Sequence, residues 1–268
     1  MTIFKYEMKR NIKYILVWAL AMAVCIFMMT PTYYSFMEMA ESNNSMYETL
    51  GNSDFFKSVG VSMGYLMTPL GIYSFLTSFF MIASGIFGVH FGITAHTKEF
   101  TEKTSEYLYT KPHTRKEIFW SKAGTVFLGT FIVGSVYMAV SGFTLVIFRS
   151  GTGISWKEFF LISASLLWLT LFFAAMGLLI GTFFSNNKNP LLTSGLVIFV
   201  EYCITSFSNV ISNKGIGFLS PFSFFTASEI SQNGFYESAY VIWYLLVFAV
   251  FMLMAYRHFI KKDMQFRS

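Results

Sequence analysis

Apolar residues fill this chain in long blocks, and polar residues collect in the short stretches between them. Six blocks read as helices able to cross a membrane: Ile15–Met37, Leu66–Ala95, Ala123–Phe148, Phe159–Phe184, Leu191–Ile211 and Ala239–Phe259. Each reaches the roughly 20 residues that a bilayer core demands at about 1.5 Å of rise per residue. The second block would measure about 45 Å as a single helix, so it must tilt or protrude. The pattern predicts an all-α integral membrane protein, one transmembrane domain spanning 1–268 with six transmembrane helices and no soluble domain.

Composition agrees with this picture. The chain is 54% hydrophobic and only 12% charged, where a soluble domain carries about 25% charged residues. Its net charge of +5 is no sign of nucleic-acid binding, because membrane proteins gather Lys and Arg on one side for topological reasons. Fifteen of the 19 Lys and Arg fall in the N-terminal segment, in the loops after spans two and four, and in the C-terminal tail. Lys57, Arg149, Lys157 and Lys214 lie on the other side. That bias places both termini in the cytoplasm. The basic start and apolar first block resemble a secretory signal, but the block is long enough to span and no small-residue cleavage site follows it, so it reads as a retained helix.

Individual residues refine the spans. Pro190 suits the first turn of span five, where its missing N–H costs nothing. Pro31 and Pro69 fall within the outer parts of spans one and two and predict kinks there. Trp120 and Trp156 sit at expected interfaces. Cys25 and Cys203 lie inside apolar blocks and read as small buried apolar residues. Gly88-Val-His-Phe-Gly92 and Gly177-Leu-Leu-Ile-Gly181 permit close helix approach, and packing within the bundle is the simpler use of them.

The most polar stretch is the loop 96–122, between spans two and three. Thr97 to Thr110 reads as a short amphipathic helix, with Phe100, Tyr107 and Leu108 on one face. Glu99 pairs with Lys103 at i, i+4, while Glu102 and Glu106 extend an acidic side. Lys111-Pro112 ends the helix, because a residue before proline avoids the helical region. Thr114-Arg-Lys-Glu117 is then a capping box, so the next helix begins ahead of the membrane and runs into it. A solvated tether needs neither an apolar face nor a cap.

These residues carry a resemblance. Thr104, Glu106, Leu108, Pro112, Arg115, Ile118 and Lys122 fall in the order and spacing of the cytoplasmic loop of ABC-2-type transporter permeases, with Lys103 where that family usually has Gly. Leu219-Ser-Pro-Phe222 and the six-span layout are similar as well. The resemblance is sequence-specific over about 25 residues of the loop and extends to the whole chain only as layout. It implies a coupling helix after span two, seated on a separate nucleotide-binding ATPase subunit that holds ATP and Mg. It also implies a second permease copy or paralogue, a bacterial cell-membrane location, and export. The segment 1–14 would then be an amphipathic helix in the membrane plane, and 212–238 an outer loop or re-entrant hairpin. Glu99, Glu102, Glu106, Tyr107 and Arg115 are the expected ATPase contacts.

The chain contains no GxxxxGK(S/T) loop to cradle nucleotide phosphates, so ATP hydrolysis is expected on the partner. No HExxH or GxSxG occurs, His90 and His96 are not spaced as a ligand pair, and Asp54 and Asp263 fall in loops. No catalytic or metal site is therefore expected. Glu201, near the middle of span five, is costly in lipid. It is either a pore or substrate contact or a carboxyl bonded to a neighbouring helix. If it lines a path by itself, the alternative is an ATP-independent secondary transporter or channel. The aromatic, Met-rich composition suits an amphipathic or hydrophobic cargo such as a peptide, drug or lipid.

Overall fold

The computed structural model describes residues 2–41, 68–101, 114–148, 155–211, 213–226, 229–230 and 234–261. It contains helices α1 (Thr2–Glu41), α2 (Pro69–Thr101), α3 (Arg115–Phe148), α4 (Trp156–Phe183), α5 (Pro190–Ile211), α6 (Lys214–Gly217) and α7 (Ser238–Lys261), with a 3-10 turn at Pro221–Ser223. Six of them are long and apolar enough to cross a membrane. Away from water a helix satisfies its own backbone groups. Hydroxyls within the spans follow the same rule by bonding back along their helices, as Thr77 does to the Tyr73 carbonyl and Thr170 to that of Leu166.

Helices α2 and α4 form the centre. In their most apolar stretches 72% and 67% of residues are buried, against 22% in α5 and 17% in α7. The two glycine pairs explain the intimacy. A Cβ added to Gly92 would lie 2.5 Å from the Ala174 carbonyl oxygen, and one on Gly177 would collide with the Val89 carbonyl. Backbone therefore rests on backbone along this seam, which only glycine allows. Both pairs pack inside the chain, as the sequence suggested.

Side chains reinforce this seam and attach the other helices to it. Tyr73 on α2 hydrogen-bonds Ser163 on α4 at 2.7 Å, and Thr77 on α2 meets Tyr137 on α3 at 3.0 Å. Helix α1 lies against α3, with Ile15 beside Gly129 and Phe27 against Phe148. Helix α7 packs on α4 through Phe251 and Phe172, and Tyr244 donates to the Trp168 carbonyl.

Four details differ from the sequence reading, the first being that Cys25 and Cys203, expected to be buried, are exposed on the bundle. No break separates residues 1–14 from the first span, because α1 is one helix of 40 residues, about 60 Å long. Ile3, Glu7, Ile15, Ala19, Met22, Ile26 and Thr30 are all buried, a helical stripe that ties the N-terminal segment to the bundle. Pro69 kinks nothing, since α2 begins there, with the Thr68 hydroxyl accepting from the Gly71 N–H at 3.0 Å. The helix expected from Thr97 is, as far as Thr101, the last turn of α2.

Candidate functional site

Two places combine polar chemistry with tertiary constraint: the elbow joining α2 to α3, and the surroundings of Glu201. The elbow lies at the end of the bundle that holds the N-terminus. There the last turns of α2, α4 and α7 meet the first turns of α1, α3 and α5. Residues 102–113, and so Glu102, Glu106, Tyr107 and the predicted amphipathic face, lie outside the described residues, as does the side chain of Glu99.

The exit from the elbow is built as the sequence predicts. The Glu117 N–H donates to the Thr114 hydroxyl at 3.3 Å, and the Thr114 N–H donates to the Glu117 carboxylate at 3.2 Å. This reciprocal box satisfies two donors that a helix start leaves unpaired. One residue on, Arg115 Nη1 donates to the Ile260 carbonyl in the last turn of α7 at 2.8 Å. The sequence reading gave Arg115 to the ATPase; the structure also uses it to fasten α3 to α7.

Lys122 is 2% exposed. Its Nζ donates to Glu7 Oε1 on α1 at 3.0 Å and to the Ala95 carbonyl on α2 at 2.7 Å. One ammonium thus joins three helices at the base of the elbow. Beside it His96 lies between Phe119 and Phe259, with ring centroids 5.8 and 5.0 Å away. The sequence reading had Lys122 as a topological charge and as the last residue of the loop resemblance, gave it no structural partner, and did not single out Glu7. Their signal was positional: Glu7 is four residues after Ile3 and eight before Ile15 on the buried stripe, and Lys122 is four after buried Ile118.

Glu201 is half-buried on α5. The segment 213–226 folds back against the bundle to its level, ten residues from the end of α5 at Ile211 and so about 15 Å along the helix. Ser220 Oγ donates to the Glu201 carbonyl at 2.8 Å, Ser223 bonds Thr205 at 3.2 Å, and Phe222 rests on Phe173 and Tyr202. This is the Leu219-Ser-Pro-Phe222 quartet that carried part of the resemblance. It encloses the Glu201 carboxyl, whose Oε2 is buried with no hydrogen-bond partner among the described residues.

No group of three or more His, Cys, Asp or Glu side chains is placed to hold a metal among the described residues. The fold is that of a multi-pass membrane bundle with a capped, fastened elbow after its second span. The family model for ABC-2 family transporter proteins matches residues 1–264. The chain belongs to that family, and is the membrane-spanning permease of an ABC transporter. No curated protein matches it.

Proposed function

We propose that this permease is one half of a bacterial cell-membrane exporter, paired with a second copy or paralogue and driven by ATP hydrolysed with Mg on a separate nucleotide-binding subunit. Its termini and elbow face the cytoplasm, in keeping with the asymmetry of Lys and Arg. The observation that carries the reading is the elbow's attachment. Thr114 and Glu117 start α3 rigidly, Arg115 holds α7, and Lys122 holds α1 and α2. A push delivered at the start of α3 therefore reaches four helices. Glu99, Glu102, Glu106, Tyr107 and Arg115 supply the ATPase contacts. The cargo is an amphipathic or hydrophobic peptide, drug or lipid, and the half-buried Glu201 carboxyl contacts it or lines its path.

The test is ATP-dependent transport in proteoliposomes containing the permease with its copurified ATPase. Arg115→Glu combined with Glu106→Lys should lower ATPase retention at least about tenfold, in line with losing charged contacts across an interface, while insertion stays intact. Arg115→Gln alone separates the Ile260 contact from docking. Unchanged ATPase retention in the double variant would sink the assignment of these residues. Transport without ATP would favour a secondary transporter or channel instead.

A further inference from the structure

Histidine is costly inside a membrane span, where an ionisable side chain marks a functional site and calls for a named partner. His90 lies within the span Leu70–Lys98. Its Nδ1 is hydrogen-bonded at 2.7 Å to the hydroxyl of Tyr14 on α1, 76 residues away in the chain. Phe87 and Phe91 pack on the Tyr14 ring, each with its centroid 5.6 Å away, and fix its position. Tyr14 and His90 are both half-buried, and both border a cavity of about 280 Å³ that opens between α1, α2 and the turn leading into α5. Arg10, Lys98 and Lys188 also line it, the first two already engaged by other groups. The Tyr14–His90 pair, by contrast, has both a donor and an acceptor to give.

A neutral imidazole carries its proton on one nitrogen, and the bond between the two rings decides what is left over. Where Tyr14 donates to Nδ1, the His90 Nε2–H remains a donor and the Tyr14 oxygen an acceptor. Where Nδ1–H donates to Tyr14, the hydroxyl proton remains to be given and Nε2 accepts. In either tautomer the pair keeps one donor and one acceptor beyond its own bond. An amide, with a carbonyl acceptor and an N–H donor on separate atoms, is the uncharged group that matches such a pair. We propose that this cavity receives the uncharged amide end of an amphipathic cargo, held by Tyr14 and His90. A space of about 280 Å³ lies at the small end of ligand pockets and suits an end group, not a whole drug-sized molecule. Close by, Val17 on α1 and Leu191 and Leu192 on α5 are apolar and exposed, so the cargo's tail meets hydrocarbon while its amide meets the pair. That the ligand is cargo rests on the export reading, whereas the site itself requires only the bundle.

The experiment is binding to the intact chain in detergent, read by native mass spectrometry and thermal shift. The probes are decanamide, methyl decanoate and acetamide. Decanamide should bind at least about tenfold more tightly than methyl decanoate, whose ester has no donor for the pair's acceptor, the loss of one hydrogen bond being worth about that factor. Tyr14→Phe should weaken decanamide by about tenfold on the same grounds. The comparison of amide with ester on the unaltered chain keeps the test decisive if that variant does not fold. Tyr236→Phe, which removes a hydroxyl bonded to the Leu161 carbonyl near the start of α4, should change nothing. Equal affinity for amide and ester, or undiminished decanamide binding in Tyr14→Phe, overturns the site. Acetamide competing at the concentrations where decanamide saturates overturns the amphipathic source in favour of a small soluble amide. Selective binding with no ATP-dependent transport of decanamide in proteoliposomes overturns its standing as cargo and not the site. ATP-dependent transport without selective binding overturns the site and leaves the export reading intact.

Discussion

The seam between α2 and α4 and the outer face of α5 are both helical and apolar, yet they are held by different physics. At the seam, glycine brings backbone against backbone, and nothing moves there without losing dispersion contact along two whole helices. On α5, Leu192, Leu196, Phe199 and Val200 are exposed, and a Cβ added to Gly195 would meet nothing within 4 Å. One region is specified by its neighbours within the chain, while the other depends on what surrounds the chain. The contrast marks α2 and α4 as a fixed spine, and the outer face of α5 as a part whose environment is supplied from outside.

The sharpest way to break the contrast is to put volume into the seam. Gly177→Leu should destabilise the bundle by more than about 3 kcal/mol, since overpacking against backbone has no flexible side chain to yield. Gly195→Ala on α5 should stay within about 0.5 kcal/mol of the parent. Thermal unfolding in detergent distinguishes them, and similar losses at both positions would contradict the contrast. Next in size is the base of the elbow. Glu7→Ala strands a buried ammonium and should cost about 3–5 kcal/mol, whereas Glu7→Leu with Lys122→Met should recover most of that loss. Failure of the double substitution to recover stability would mean that the pair does more than neutralise itself.

Smaller effects sharpen the picture at the two ends of the argument. Arg115→Gln removes a charged donor from the Ile260 carbonyl and should cost about 1.5–3 kcal/mol. Protease protection of the α7 end should fall with it. Glu201→Gln should change stability by no more than about 1 kcal/mol, because Oε2 has no partner to lose. Transport should nevertheless decline, and full transport by Glu201→Gln would make the carboxyl dispensable.

The seam was only half legible: glycine at i, i+4 marks a place of close helix approach, but in so Gly-rich an apolar chain it does not say which helices meet or whether they belong to one chain or two. The capping box was legible because Thr114 and Glu117 act over three residues. Six apolar blocks gave the helices, since length and hydropathy alone decide whether a helix can span. What could not be read were pairings distant in the chain. Glu7 and Lys122 lie 115 residues apart, and no local pattern brings them together. Ser220 similarly reached Glu201 only through the fold of the segment between them. The continuity of α1 was missed because Lys5, Lys9 and Lys13 drew attention from the buried stripe on the opposite side of the same helix. Pro69 was misplaced because a proline inside an apolar block looks the same whether it kinks a helix or starts one.

The central claim is that energy enters this permease from another chain through the elbow. It is tested most directly by gentle purification of the tagged protein from its native membranes, with mass spectrometry of what accompanies it. The account predicts a stoichiometric soluble protein bearing a GxxxxGK(S/T) loop, lost when Arg115→Glu and Glu106→Lys are combined. A preparation free of any ATPase, still so after crosslinking, would contradict it.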